Sequence, residues 1–177
     1  MKNWFSQVKA TDTKIWIILY LIVGAVLSYF VAFIYPPKKI LIDAPATVQW
    51  VTFGSSMIGV VLALFVTTYI GYFVYWLAQH FMDVPLLDKK QVKRSFYLTT
   101  CISDVIINFV HLILVIITGG FLQTAATTTL SVLSALLMAI LIYAFFVYLL
   151  QNIKLGRVIA VVILVLNLLP VIGQILK

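Results

Sequence analysis

The sequence predicts an all-α, polytopic membrane bundle of five transmembrane helices, with the N-terminus inside and the C-terminus outside. Three observations predict it. Of 177 residues, 64% are apolar and only 10% charged, with a mean hydropathy of +1.16; a soluble domain is about half apolar and about a quarter charged. The apolar residues fall into five runs, each long enough for the roughly 20-residue helix that crosses a bilayer. The basic residues between those runs are distributed unevenly, as membrane topology requires.

The first span is placed at about 15–35. It follows Met1–Lys14, where Trp4, Phe5 and Val8 suggest a short interfacial lead-in anchored by Trp4. The run is too long for the h-region of a signal peptide and is read as retained. Pro36-Pro37 end it, and Lys38-Lys39 follow. The second span, about 48–81, is longer than a straight crossing needs, so it tilts or continues into the loop. Gly54, Ser55 and Gly59 give it a small-residue patch suited to close helix packing. The polar loop HFMDVPLLDKKQVKR precedes a third span at about 96–118. An uncharged connection through Gly119-Gly120 leads to the fourth, about 128–150. A turn at Gln151–Arg157 leads to the last, about 158–176, where Pro170 should kink or shorten the helix. All 177 residues form one domain.

Odd parity puts the two ends on opposite sides. With the N-terminus cytoplasmic, Lys2, Lys9, Lys14, Lys89, Lys90, Lys93, Arg94, Lys154 and Arg157 lie inside, and only Lys38, Lys39 and Lys177 outside. That bias sets the orientation and indicates a multi-pass protein of the cell membrane, read as a bacterial plasma membrane. The net charge of +7 then serves topology and attraction to anionic lipid. Lys89, Lys90, Lys93 and Arg94 are the candidate contact for such lipid or an acidic partner. Membrane lipids are the expected partners, with a membrane-protein partner or a second copy beyond them. Nucleic acid is not expected, because no soluble domain carries a basic face. Cys101, the single cysteine, reads as a buried thiol.

The third span holds the most informative residues. Asp104, Asn108 and His111 stand at i, i+4 and i+7, within about 60° of one another on a helix. Tyr97 and Thr100 extend the stripe. An ionisable group in hydrocarbon costs several kcal/mol unless it has a partner or a cavity, so the stripe should face other helices. Counted at about 1.5 Å per residue from the cytoplasmic side, Asp104, Asn108, Asn167, Tyr143 and Tyr72 lie about 12 to 18 Å deep. They are expected to form a buried polar cluster in the cytoplasmic half, with Asp104 central, Asn108 and Asn167 as hydrogen-bond partners, and Tyr72 or Tyr143 as donors. The cluster either holds the helices in register or lines a path for a polar substrate, ion or proton. Desolvation should keep His111 neutral.

Catalysis is not expected. The chain has no Glu and only His80 and His111, too few ligands for an intramembrane metalloprotease. Gly54-Ser55-Ser56 should lie near the outer surface, where small residues serve packing. Paired Asp-rich motifs, Walker patterns and dinucleotide-binding glycines are absent from the sequence, and no metal or cofactor is expected.

The span order, long second helix, basic second loop and the segment LLQNIKLGRVIAVVILVLNLL resemble the prokaryotic branch of the Ypt-interacting-protein, or Yip, domain family. The resemblance runs from Ile15 to Leu176 and implies a five-helix, non-enzymatic integral membrane protein acting in envelope transport or stress. Eukaryotic members associate with Rab-type GTPases, but their Asp-Leu-Tyr-Gly-Pro signature is absent here, so that property does not carry over. Two other classes stay open. One is the solute-binding membrane subunit of an energy-coupling-factor importer, which usually has six spans. The other is a bacteriocin-immunity or receptor-like membrane protein.

Overall fold

The computed structural model describes residues 9–35, 45–82, 87–119 and 124–175. Every regular element among them is a helix: α1 (Ala10–Tyr29, continued by a π-helical turn at Phe30–Ile34), α2 (Ala46–Met82), α3 (Lys89–Thr118), α4 (Thr124–Tyr148) and α5 (Ile153–Ile175). All five are long and apolar enough to cross a membrane. The protein is a five-helix membrane bundle, the architecture in which backbone hydrogen bonds are made within each span. The lead-in at Trp4 and the residues Lys2, Lys38, Lys39 and Lys177 lie outside the described residues.

The helices begin earlier than their apolar runs, because polar residues cap them. Asp12 accepts from the backbone N–H of Lys9 at 2.7 Å, so α1 starts at Ala10, not Ile15. Asp88 accepts from the N–H of Lys90 at 3.0 Å, which starts α3 at Lys89 and makes the basic cluster helical. Asn152 accepts from the N–H of Leu155 at 3.0 Å. The turn expected at Gln151–Arg157 is therefore shorter: Gln151 takes a positive φ of 52°, and Gly156 and Arg157 already belong to α5. At the other end of the bundle Gly119, with φ of 63°, closes α3 in the left-handed conformation and donates its N–H to the Val115 carbonyl. The last helix runs through Pro170 without a break.

Helix α2 is unbroken over 37 residues, about 55 Å against a hydrocarbon thickness of about 30 Å. The run is not divided into the two short segments that a sixth span would need. The start of α2 meets the end of α1 through aromatic contacts, with Phe33 edge-on to Trp50 at 4.9 Å.

Helix α3 is the middle element, packed against α1, α2 and α4; α5 lies against α4 and α2. Lipid is as apolar as leucine, so close packing and interhelical hydrogen bonds hold such a bundle together. A Cβ on Gly71 of α2 would sit 2.6 Å from the Phe96 ring of α3, and one on Gly156 of α5 would sit 2.9 Å from Cβ of Phe146 on α4. Along the α1–α2 seam, the Tyr20 hydroxyl donates to the Val60 carbonyl at 2.8 Å, and Ser28 pairs with Ser56 at 2.8 Å. The main core, around Phe96, Phe146, Ile142 and Ile159, sits at the end of the bundle that carries Lys89–Arg94. The opposite end, between α3, α4 and α5, is packed less tightly and holds the site.

Candidate functional site

Three helices line one cavity of about 400 Å³, α3 and α4 each with a polar stripe and α5 with a single amide. Helix α3 contributes Asp104, Asn108 and His111; α4 contributes Thr127, Ser131 and Ser134; α5 contributes Asn167 and Pro170. The α3 and α4 residues share the same i, i+4, i+7 spacing and run about 10 Å along their helices. Because α4 is antiparallel to α3, Asp104 comes level with Ser134 and Asn167 at the deep end, and His111 with Thr127 at the mouth. Leu130, Ala135 and Val171 are buried apolar walls, whereas Thr127 and Ser131 are exposed. The cavity thus opens toward the end of the bundle where α3 stops and α4 begins.

The acid at its deep end is not satisfied by the groups around it. The Asp104 carboxylate makes no hydrogen bond or ion pair with any described residue. Asn167 donates its amide to the Ile163 carbonyl of its own helix at 2.8 Å, with Met138 Sδ at 3.8 Å. Its carbonyl oxygen is left as an acceptor. Ser131 donates to the Thr127 carbonyl at 3.0 Å. Beside the cavity, Ser103 donates to the Ser134 carbonyl at 3.3 Å, joining α3 to α4. Pro170 has no N–H to give the Leu166 carbonyl, which loosens the α5 ladder next to Asn167. The result is a half-open chamber rich in oxygen acceptors, with a carboxylate at its deep end.

The structure brings Asp104, Asn108, His111 and Asn167 together and leaves the two expected tyrosine donors elsewhere. Tyr143 projects from the far side of α4 into a separate apolar groove. Tyr72 packs beside Tyr75, with ring centroids 5.9 Å apart, and lies under the Lys93 ammonium at 4.9 Å. Asn167 is not the hydrogen-bond partner of Asp104 that the sequence suggested, because its own helix takes its donor. Tyr97 and Thr100 do not extend the cavity: Tyr97 sits edge-on to Phe65 at 6.5 Å, and Thr100 is buried without a hydrogen-bond partner among the described residues.

The cavity also lies at the other end of the bundle from Lys89–Arg94. With the N-terminus cytoplasmic it occupies the outer half, not the expected cytoplasmic half. The depth count went astray because it used single residues near mid-membrane, whereas the lining runs from Asp104 onward to His111 and up to Thr127, near the start of α4.

The α4 wall was missed in the sequence. Its signal was present in the repeat of the α3 spacing at Thr127, Ser131 and Ser134, which are ordinary residues for a membrane helix.

Of the basic cluster, Lys89 and Lys90 are exposed, while Lys93 is held over two rings, Tyr72 and, at 5.5 Å, Tyr69. The Cys101 thiol is free and buried. Ser55 and Ser56 are engaged with the Thr52 carbonyl and with Ser28, on a different seam from the one that carries His111.

Fold and site together define a multi-pass helical membrane protein with a polar intramembrane cavity. Comparison with family models, curated proteins and solved structures finds no match to the chain.

Proposed function

We infer that this chain is a non-enzymatic membrane protein that holds a small cationic or amine-bearing solute in the cavity between α3, α4 and α5. It would serve solute transport or sensing in the cell envelope, oriented with its N-terminus in the cytoplasm of a bacterial cell. One observation carries this reading: Asp104 lines a cavity of about 400 Å³ and has no partner among the described residues. A carboxylate at membrane depth costs several kcal/mol unless something offsets it, and intramembrane ionisable residues mark binding sites and pathways for that reason. Were its role to hold helices in register, a donor on a neighbouring helix would be expected, and Asn167 donates elsewhere. The surrounding acceptors, from Asn108, Asn167 and the α4 hydroxyls, suit a positively charged guest better than an anion. The five-span organisation is in keeping with the Yip resemblance, which says nothing of a solute.

The test is a thermal-unfolding screen of the purified protein against monovalent metal cations and small amines, run in parallel with Asp104→Asn. At least one cation should raise the wild-type Tm and leave the variant unmoved. If no cation separates the two proteins, the reading is wrong.

A further inference from the structure

A second surface, independent of the polar cavity, lies on the outside of the α4–α5 hairpin. An apolar groove of about 310 Å³ runs between the two helices, with Leu136, Ala139 and Ile140 on one side and Ala160, Val161 and Leu164 on the other. It exists because small residues line its floor: Ala139 and Ala160 are buried, while Ile140 and Val161 stand out as its rims. From Arg157 to Leu164 it is about 10 Å long.

Two polar side chains close one end of this groove. Arg157 is on α5, and Tyr143 is on α4, whose ring would lie 3.7 Å from a Cβ on Gly156. The guanidinium is exposed and makes no ion pair with a described residue. Lys154 is exposed one turn earlier. This is the end of the bundle that carries Lys89–Arg94, where α3 and α5 begin and α2 and α4 end.

We propose that this groove is a binding site for an anionic phospholipid, with one acyl chain along Ala139–Ala160 and the phosphate on Arg157, beside the Tyr143 hydroxyl. Charge complementarity selects the occupant. A planar guanidinium binds phosphate in a bidentate fork, and a phenol beside it is suited to the headgroup level. A groove of the same shape without the arginine would accept any lipid.

The experiment uses the full chain in phosphatidylcholine vesicles doped with either phosphatidylglycerol or phosphatidylcholine carrying a photoreactive group on the acyl chain. Crosslinked peptides are mapped by mass spectrometry. The wild type should label the groove peptides around Ile140 and Val161 more strongly with phosphatidylglycerol. Arg157→Gln should lower that preference about fivefold, the effect of losing one basic residue at a membrane surface, and Arg157→Lys should retain part of it. Val161→Trp, at an exposed position that leaves the core intact, should block groove labelling by both lipids. Lys89→Gln with Lys90→Gln should leave the groove preference unchanged. Equal labelling by the two lipids in the wild type would overturn the proposal, as would a preference that survives Arg157→Gln or follows Lys89 and Lys90. None of these readouts depends on the Asp104 cavity.

Discussion

Asn167 donates its side-chain amide to the carbonyl of Ile163, one turn back along α5, at 2.8 Å. Across helices it donates to Met138 Sδ of α4 at 3.8 Å, and a thioether is a weak acceptor, so Asn167 ties the two helices only weakly. Asn167→Ala should therefore cost only about 0.6 kcal/mol, typical of a single hydrogen bond in a membrane protein, because the backbone ladder still satisfies Ile163. Reversible unfolding in mild detergent and denaturant would measure it. A loss several times larger would mean that Asn167 does tie helices together.

The glycines of α2 should divide sharply. A Cβ on Gly71 would meet the fully buried Phe96 ring at 2.6 Å, whereas one on Gly54 or Gly59 meets none of the described residues within 4 Å. Gly71→Ala should destabilise the bundle by about 1 to 3 kcal/mol through overpacking, while Gly54→Ala and Gly59→Ala should stay within about 0.5 kcal/mol. The same unfolding assay gives the comparison. Equal effects at Gly54 and Gly71 would contradict the α2–α3 packing described above.

How far the sequence reveals this molecule depends on which property is asked of it. Hydropathy shows five spans because twenty apolar residues have few other fates, and the second run at 48–81 lies within the observed helix Ala46–Met82. Helix starts are less visible, since Asp12, Asp88 and Asn152 extend the helices past the apolar runs. Within the site, the i, i+4, i+7 stripe at Asp104, Asn108 and His111 marks one wall. Height alone misplaces the tyrosines, because a residue's level in the membrane says nothing about the direction it faces. Tyr143 is nine residues from Ser134, two and a half turns, and so points to the opposite side of α4. That much could have been counted. Which helices face one another across the cavity could not, because it depends on the close contacts at Gly71 and Gly156.

Orientation can be read by labelling. Lys90 is exposed at the start of α3 and Thr118 at its end, and the native Cys101 is fully buried, so background reaction should be low. In intact cells Thr118→Cys should react with a membrane-impermeant maleimide, and Lys90→Cys only after permeabilisation. The reverse pattern would place the cavity mouth in the cytoplasm.

The central claim is that the Asp104 carboxylate faces a cavity and has no hydrogen-bond or ion-pair partner among the described residues. The unfolding free energy of Asp104→Leu, measured without added solute against wild type, tests it most directly. Replacing an unpaired carboxylate at membrane depth should leave stability unchanged or raise it, by up to about 3 kcal/mol. A loss of about 3 kcal/mol or more, the cost of breaking a buried charged pair, would show that Asp104 is bonded within the bundle and would contradict the account.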